Sequence, residues 1–407
     1  MPSEVVIAGA KRSLIGTDSG ALSPYGAVDT ASAVIAYMLR ELEERASLFR
    51  REEIKAFISG ICVSSNIGQN LPRQIMERCS ILKTETAYTV NEMCGSGLEA
   101  VIQGYNAIKS GEYPLFLVGG VEMPLATPFY LTRQQLVKWR DKKLSEIGEF
   151  LPRGDLRDAL WCSIQDVHTI VHAENTTAKW VASRGYDRET FKVEIDKYAV
   201  QSSCRAVEAQ EQGLFTEEIV PFPDSTVQDE FPRTKKLSRL ARLRGTHFTP
   251  DGLFLTSHNS PPLGNGAAYL LLADRDYAEQ KGLPILARIT GYSRSGVAPE
   301  DFLLAPLHAV KKLLNEKEMT IEDLDIFEMN SAYGSQMLIN KEELNLPMER
   351  VNIQGDSIAL GHPVGAAGAR ILTTLIHSLI RVKGKRGLTA ICLGGGNGLA
   401  MSVERET

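Results

Sequence analysis

A pattern that occurs twice, near the two ends of the chain, restricts the folds available to it. Each copy has a glycine-rich turn, a helix-like run with apolar residues on one face, and a buried strand that ends in glycines. The first copy spans Asn91 to Gly120 and the second spans Gly361 to Gly394. Strands that alternate with helices predict a parallel or mixed sheet covered by helices. The repeat therefore predicts an α/β protein made of two similar halves that face each other.

Other segments extend the same alternation in both halves. Val5–Ala8 and Ala56–Val63 are apolar enough to be buried strands of the first half. In the second half, Ile285–Ile289 predicts a strand and Ala309–Leu314 a helix. Leu388–Gly394 is expected to be the closing strand of the chain.

The pattern changes between the halves. Residues 122–247 are charged and poor in strand-like runs, and they include a helical stretch from Arg188 to Gln212. We expect a first half at 1–121, completed by about 248–275, and a second half at 276–407, with residues 122–247 forming a separate loop domain.

Composition excludes several classes of function. The 407 residues, 43% hydrophobic and 23% charged, suit a soluble globular protein with two or three domains. A net charge of -5 argues against nucleic-acid binding, and no apolar run is long enough to predict a membrane span. The first strand begins at Val5, so we expect no signal peptide. The six cysteines form no CxxC pair, which predicts no metal site and a reducing, cytoplasmic compartment.

Cys94 lies in the turn of the first copy. A strand-like run, Ala87–Val90, precedes the turn, and a helix-like run follows it, so Cys94 should stand at a helix N-terminus. The unpaired N–H groups and positive partial charge there favour thiolate, which makes a cysteine a better nucleophile. Gly95 and Gly97 allow another backbone or a ligand to come close. A structural cysteine beside packing glycines explains this stretch equally well.

Three later motifs favour the nucleophile. They are Asn330–Tyr333, Gly361–Arg370 and Cys392–Gly398, and with the Cys94 turn, in this order, they resemble the thiolase family. The resemblance covers essentially the whole chain. It implies a five-layered αβαβα fold of two halves with a loop domain over the coenzyme A site. Further matching stretches are Ala10–Gly16, Gly68–Asn70, Ala173–Asn175 and Gly266–Ala268.

The resemblance assigns chemistry to named side chains. Cys94 is the expected nucleophile that carries the acyl group, His362 the base that activates it, and Cys392 the second acid/base. Alone, His362 on its glycine-rich turn would more often be structural, and Cys392 at a strand end would more often be a small core residue. One oxyanion hole would use His362 with a water held by Asn330. The other would use the N–H groups of Cys94 and Gly394, where a side chain would crowd the acyl group.

The most basic segment of the chain is Lys235–Arg244. It is either a solvated helix face or a phosphate-contacting surface for coenzyme A. The resemblance favours contact, through Arg239 and Arg242. Coenzyme A is expected as a substrate, with no permanently bound cofactor.

The substrate pocket departs from the family pattern. His168 matches a family histidine near the pantetheine, although a packed loop histidine explains it nearly as well. Pro261 takes the place of a family serine that contacts coenzyme A, and Ser260 is one residue away. Thr169 and Phe302 fall where short-chain thiolases often have methionines.

The Asn330 motif also departs. Ser331 and Tyr333 replace the glutamate and phenylalanine of the usual Asn-Glu-Ala-Phe, which removes a charge near the catalytic centre and adds a hydroxyl. We therefore expect a substituted, branched or aryl 3-oxoacyl-CoA rather than acetoacetyl-CoA.

Two other functions fit parts of the pattern. A decarboxylating condensing enzyme of the ketoacyl-synthase type shares the duplicated fold but lacks a cysteine at the place of Cys392. A non-catalytic, thiolase-like subunit that needs a partner fits the altered Asn330 motif. The resemblance implies at least a homodimer formed through the sheet, or a homotetramer, with Gly68–Asn70 near the interface. An accessory subunit is a further expectation.

Overall fold

The structure, a computed structural model, describes residues 4–81, 85–131, 133–140, 153–154, 156–222 and 227–406. The strands are β1 Val5–Arg12, β2 Ala56–Gly60, β3 Thr86–Val90, β4 Leu115–Glu122, β5 Trp161–Cys162, β6 Val167–His168, β7 Gly266–Asp274, β8 Ala287–Gly296, β9 Ile326–Met329, β10 Arg386–Leu393 and β11 Asn397–Glu404. The α-helices are α1 Ala27–Arg45, α2 Leu71–Arg78, α3 Ser96–Lys109, α4 Arg133–Trp139, α5 Thr169–Arg184, α6 Arg188–Glu211, α7 Leu237–Leu240, α8 Arg275–Lys281, α9 Ala305–Glu316, α10 Gly334–Leu344, α11 Ser357–Leu360 and α12 Ala367–Val382. Within these ranges, every helix is too short or too polar to cross a membrane.

Nine strands form one mixed sheet with an internal mirror order. The order is β3-β2-β4-β7-β1-β8-β11-β10-β9. The first five strands belong to the first half, and the last four repeat their arrangement in reverse. In each half a parallel pair (β2 with β4, β9 with β10) is followed by two antiparallel pairings. The halves meet where Val6 and Ile7 of β1 pair with β8.

Alternation along the strands produces three apolar layers. Val6 and Ala8 of β1 pack with α1 and α2 on one face of the first half, whereas Val5 and Ile7 point to the opposite face. That opposite face packs on α3 and α12, which also cover the inner face of the second half. The outer face of the second half packs on α9 and α10. The layers in order are outer helices, the strands of the first half, the two central helices, the strands of the second half, and outer helices. This is the five-layered arrangement expected from the sequence, and that prediction is confirmed.

Glycines allow the two central helices to touch. A Cβ built on Gly97 of α3 would lie 3.0 Å from the backbone N of Ala369, and one on Gly368 of α12 would lie 2.7 Å from the backbone N of Leu98. These contacts fit the expectation that glycines after Cys94 admit a second backbone. They bring the N-termini of α3 and α12, and the turns before them, to one place.

The prediction that Leu388–Gly394 closes the chain is wrong. That segment belongs to β10, and a turn at residues 394–396 leads into β11, which pairs with both β10 and β8. The glycines that follow Leu393 do not end the fold. Gly395 and Gly396, with φ of 94° and 99°, form a tight turn between antiparallel strands.

The corresponding strands of the first half, β4 and β7, are joined by residues 123–265. This insertion contains α5 and α6, which begin at side-chain caps: His168 accepts from the N–H of Ile170, and Asp187 accepts from that of Thr190. The helix expected from Arg188 to Gln212 is present as α6. The domain limits near residues 121, 247 and 275 remain a proposal.

Candidate active site

Cys94 stands on a strained turn at the start of α3. A 3₁₀ turn, Met93–Gly95, leads into the helix, and Met93 has a left-handed backbone with φ of 51°. The hydroxyl of Ser96 donates to the carbonyl of Met93 and accepts the N–H of Glu92, which closes the turn. Cys94 is partly exposed, and its Sγ lies 3.1 Å from Nε2 of His362. The two repeated turns therefore place a thiol and an imidazole in contact.

The turn that carries His362 is held by a carboxylate from the other half. Glu122, at the end of β4, accepts the N–H groups of Cys62, Val63 and Gly365 at 2.8, 3.1 and 2.9 Å. Burial raises the pKa of Glu122 to about 7, against these three hydrogen bonds, which lower it. Sequence reasoning missed this residue, whose only local signal was an acidic residue directly after a buried strand.

Cys94 and His362 open into a cavity of about 120 Å³. Seven of the predicted site residues line it, namely Cys94, His168, Ser260, Phe302, His362, Cys392 and Gly394. The other lining residues are Ala159, Leu160, Thr169, Ile170, Pro261, Leu263, Ala332 and Tyr333. Arg239, Arg242 and Asn330 do not line it. The lining is mostly apolar, so the cavity suits the acyl end of a thioester and is too small for a whole nucleotide.

The cysteine and histidine form a neutral pair, contrary to the expectation of a thiolate. Burial, and then the charge of Glu122, raises the pKa of Cys94 to about 12. Burial, and then the charge of Arg370, lowers the pKa of His362 to about 3. Desolvation of a charged group outweighs the helix N-terminus here, because Cys94 is only partly exposed and His362 is buried. A neutral imidazole with a free lone pair can take the thiol proton as the sulfur attacks a carbonyl.

Cys392 is a second thiol in the same cavity. It lies near the end of β10, is 1% exposed, and its Sγ lies 3.7 Å from Oε1 of Gln336. Burial also raises the pKa of Cys392. Gln336 accepts the N–H of Ala332 with the same oxygen, so α10 aims this oxygen at the thiol. Sequence reasoning missed Gln336, because nothing in an ordinary helical glutamine indicates a distant partner.

Gly394 lies in the turn after β10, close to the Cys94 turn. A Cβ built there would meet Met93 Cγ at 3.6 Å, which is ordinary contact, so the protein itself does not require glycine at this position. Glycine at this position leaves space in the lining of the cavity that Cys94 also lines.

Asn330 follows β9 and is fully buried. Its Oδ1 accepts a hydrogen bond from Ser357 at 2.7 Å, while Nδ2 has no hydrogen-bond partner within the described residues. A free amide donor suits the expected role of holding a water.

A buried acidic side chain lies beside Ser331, the residue that stands in place of the family glutamate. Ser331 donates to Oδ2 of Asp356, a buried carboxylate that also accepts from the hydroxyls of Tyr198 and Ser202. The sequence indicated a missing carboxylate, because Asp356 is twenty-five residues away along the chain. Tertiary contact returns an acidic group to this region.

The cavity wall combines rings and hydroxyls. His168 stacks on Phe248 with ring centroids 4.1 Å apart, and burial lowers the pKa of His168 to about 4, so it is neutral at pH 7. The Tyr333 hydroxyl lies 3.3 Å from Oγ1 of Thr169 and its ring meets Phe302 edge-on. Oγ of Ser260 is buried without a hydrogen-bond partner among the described residues.

The cations of the basic segment Lys235–Arg244 differ in their contacts and exposure. Lys235 donates to the carbonyls of His258 and Ile358, and burial lowers its pKa to about 8. Arg244 pairs with Glu189. Arg239 and Arg242 are exposed. Neither has an ion pair in the part of the chain that the structure describes.

Sequence comparison identifies related proteins over the full length. The model of the thiolase N-terminal domain matches residues 5–276, and that of the thiolase C-terminal domain matches residues 283–405. Cytosolic acetyl-CoA acetyltransferase of Rattus norvegicus is 35% identical over 410 residues, covering 98% of each chain. Acetyl-CoA acetyltransferase of Pseudomonas aeruginosa is 34% identical, covering 99% of this chain and 100% of that protein.

Solved structures agree with these matches. The Acat5 thiolase of Ascaris suum in complex with coenzyme A has a TM-score of 0.87 at 32% identity, covering 99% of this chain and 100% of that one. Human mitochondrial 3-ketoacyl-CoA thiolase in complex with CoA has a TM-score of 0.88 at 28% identity, covering 100% and 98%.

Proposed function

Because the chain belongs to the thiolase family and is an acyltransferase, we propose that it transfers an acyl group between a 3-oxoacyl-CoA and coenzyme A, through an acyl-cysteine at Cys94. The observation that carries this proposal is the meeting of Cys94, His362 and Cys392 around one apolar cavity, with 3.1 Å between Cys94 Sγ and His362 Nε2. A nucleophile, its base and a second acid/base are what thiolytic cleavage and its reverse, Claisen condensation, require.

In the cleavage direction, Cys94 attacks the 3-oxo carbonyl carbon of the substrate while His362 Nε2 takes the thiol proton. Neutral partners suit this step, since charge develops only as the sulfur–carbon bond forms. The tetrahedral oxyanion is bound by the backbone N–H groups of Cys94 and Gly394. When it collapses, the bond between the α carbon and the former carbonyl carbon breaks, leaving an acyl-cysteine and the carbanion of acetyl-CoA or its substituted analogue.

Cys392 protonates that carbanion. Its high pKa keeps the proton on sulfur until a strongly basic carbon is within reach, and Gln336 orients the thiol. The enolate oxygen is bound by His362 and a water on the free amide of Asn330. The thiol of coenzyme A then gives its proton to the Cys392 thiolate and attacks the acyl carbon, and the sulfur of Cys94 leaves and takes its proton back from His362. Condensation reverses each step.

Coenzyme A extends from the cavity over the insertion. We assign its pantetheine to His168 and Ser260, the acyl end to Phe302, and its phosphates to Arg239 and Arg242. Support for the last assignment is that both arginines are exposed, and that the charge of Arg239 reaches His258, two residues before Ser260.

The acyl group is a substituted, branched or aryl one. Support comes from the aromatic pair of Phe302 and Tyr333, which forms a rigid wall where flexible side chains would adapt to plain acetoacetyl-CoA. The cavity of about 120 Å³ admits such a group only at its reacting end, with the remainder toward the opening.

The proposed assembly is at least a homodimer in the cytoplasm. The edge strand β3 is partly exposed, including Tyr88 at 41%, and it lies beside the loop that contains Gly68–Asn70. The named location of the rat relative supports the compartment. The proposed assembly also includes an accessory subunit.

Intact-protein mass spectrometry tests the function. Purified protein is mixed with acetyl-CoA and a panel of 3-oxoacyl-CoA thioesters without free coenzyme A, followed by peptide mapping. We expect one acyl adduct on Cys94, whose mass identifies the acyl group, and none in a Cys94→Ala variant. An adduct on another residue, or none in the folded wild type, contradicts the proposal. A decarboxylating condensing enzyme would instead release CO₂ from a malonyl thioester.

A further inference from the structure

An arginine, a serine and the amide of Asn330 form a hydrogen-bonded chain behind the cavity. Nη2 of Arg370 lies 3.1 Å from Oγ of Ser357, and that Oγ lies 2.7 Å from Oδ1 of Asn330. All three side chains are at most 2% exposed. Arg370 comes from α12, Ser357 from α11 and Asn330 from the end of β9, so three separate elements meet at this chain of contacts.

The chemistry of the three groups gives the contacts a direction. A guanidinium only donates, so Oγ of Ser357 accepts from Arg370. The single hydroxyl proton of Ser357 is then left for Asn330, which must present its oxygen. The amide NH₂ consequently faces away from Ser357, and Nδ2 is the buried atom without a partner among the described residues.

We propose that Ser357 and Arg370 are positioning residues, which fix the orientation of the Asn330 amide so that its NH₂ serves the reaction centre. This inference rests on the proposed function, in which Asn330 holds the water of the enolate oxyanion hole. The inference assigns Ser357 and Arg370 to the half-reaction that passes through the enolate. The oxyanion hole of the acylation step uses backbone N–H groups instead. Without the hydroxyl, the amide can turn by 180° and offer its oxygen, to which the water must donate one of the two protons that it would otherwise direct at the reaction centre.

The surroundings of Arg370 support a directed role. Nε and Nη1 of this buried guanidinium have no hydrogen-bond partner among the described residues, so Ser357 is its sole recorded acceptor there. Burial lowers the pKa of this guanidinium, and the nearby carboxyl groups of Glu328, Glu218 and Asp229 oppose that shift without hydrogen bonding to Arg370 among the described residues. Arg370 is also near enough to His362 to affect its charge state.

The chain contains a matched control on the same helix. Nη2 of Arg381 lies 3.2 Å from Oγ of Ser378, which donates at 2.6 Å to Oε1 of Gln354. Ser378 is as buried as Ser357, and none of these three residues lines the cavity. Ser378→Ala therefore removes the same kinds of hydrogen bond away from the thiols.

The test compares Ser357→Ala, Ser357→Thr and Ser378→Ala with the wild type in two assays. One assay follows acylation of Cys94 by acetyl-CoA, and the other follows condensation to the 3-oxoacyl-CoA. For Ser357→Ala we expect acylation within about twofold of wild type, a kcat for condensation lower by about tenfold or more, and a KM changed little. Ser357→Thr should restore most of the rate, and Ser378→Ala should retain both half-reactions.

Equal losses in both half-reactions, or wild-type condensation in Ser357→Ala, would overturn the positioning role. A crystal structure of Ser357→Ala tests it without activity: the Asn330 side chain should rotate about χ2 or occupy two orientations, and an unmoved amide contradicts the inference. If the wild type itself forms no acyl-enzyme, the proposed function fails, and the crystal structure still decides whether Ser357 orients the amide.

Discussion

The two halves differ most in the connection between one pair of corresponding strands. In the second half, residues 394–396 turn directly from β10 into β11. In the first half, residues 123–265 join β4 to β7 and contain α5 and α6. The short turn brings Gly394 beside Cys94, and the long insertion supplies His168, Thr169 and Ser260 to the cavity.

This difference separates chemistry from selection of the substrate. The duplicated core positions the thiols and the imidazole, because its two central helices start at the same place and Glu122 ties the Gly365 turn to the backbone of Cys62 and Val63. The insertion adds part of the cavity wall. We therefore expect changes in the core to affect every substrate, and changes in the insertion to alter the preference among substrates.

Replacing Cys392 with alanine should have the largest effect on the core chemistry. The variant should still acylate at Cys94, but condensation should fall by about a thousandfold, since a positioned acid/base contributes roughly 10²–10⁴. Cys62→Ala is the control, because this buried cysteine contacts Met93 and does not line the cavity. Stopped-flow acylation and steady-state condensation measure the two halves separately. Normal turnover by Cys392→Ala would refute its role.

Gly365→Ala should move the turn that carries His362 away from the turn that carries Cys94. Its Cβ would lie 2.7 Å from Cα of Ile61 and 2.8 Å from Oε2 of Glu122, so the turn that carries His362 must move. We expect the free energy of unfolding to fall by about 2–3 kcal/mol and acylation to slow for all acyl-CoAs alike. Gly26→Ala, where the nearest atom is at 3.4 Å, is the control for urea unfolding. Slowing with some substrates only would argue against a shared core.

Tyr333→Phe and Thr169→Val test whether the insertion affects the preference among substrates. The two hydroxyls are in contact across the boundary between core and insertion. Either change leaves an apolar wall, so kcat/KM should shift toward apolar acyl groups by about three- to tenfold, with little change in Cys94 acylation by acetyl-CoA. The double variant should shift little further than the singles, because both remove one contact. Additive shifts would mean that the two hydroxyls act independently.

At pH 7, His168→Asn should have the smallest effect of these variants on stability, and the variant should gain stability relative to the wild type as the pH falls. The pKa of His168 is lowered to about 4 from an ordinary 6.5, so the unfolded state takes up a proton first as the pH falls. Below about 6.5 and down to about 4, His168 therefore makes folding less favourable, by up to about 1.4 kcal/mol per pH unit. Asparagine keeps the helix cap but does not titrate. The stability gap between wild type and variant, measured by urea unfolding, should narrow over this range, and a constant gap would contradict it.

Much of the fold was readable from the sequence, because its signals are local, and seven of the predicted site residues line one cavity. The turn-helix-strand repeat indicated two halves, and the glycines beside Cys94 indicated close contact with a second backbone or a ligand. The same local signals misled at Gly394, where a turn between antiparallel strands was read as the end of the fold.

Only the tertiary structure showed which distant side chains are hydrogen-bonded to the site residues and how burial shifts the pKa values of those residues. Glu122 lies 243 residues from Gly365, and Gln336 lies 56 residues from Cys392, so no local pattern indicates either pair. Asp356 returned the carboxylate that the Asn330 motif had lost. Burial raised the pKa of the Cys94 thiol, which the helix N-terminus was expected to lower, because desolvation depends on everything packed around a group. Residue identity and local periodicity thus determined which groups are available, and long-range packing decided their orientation and charge.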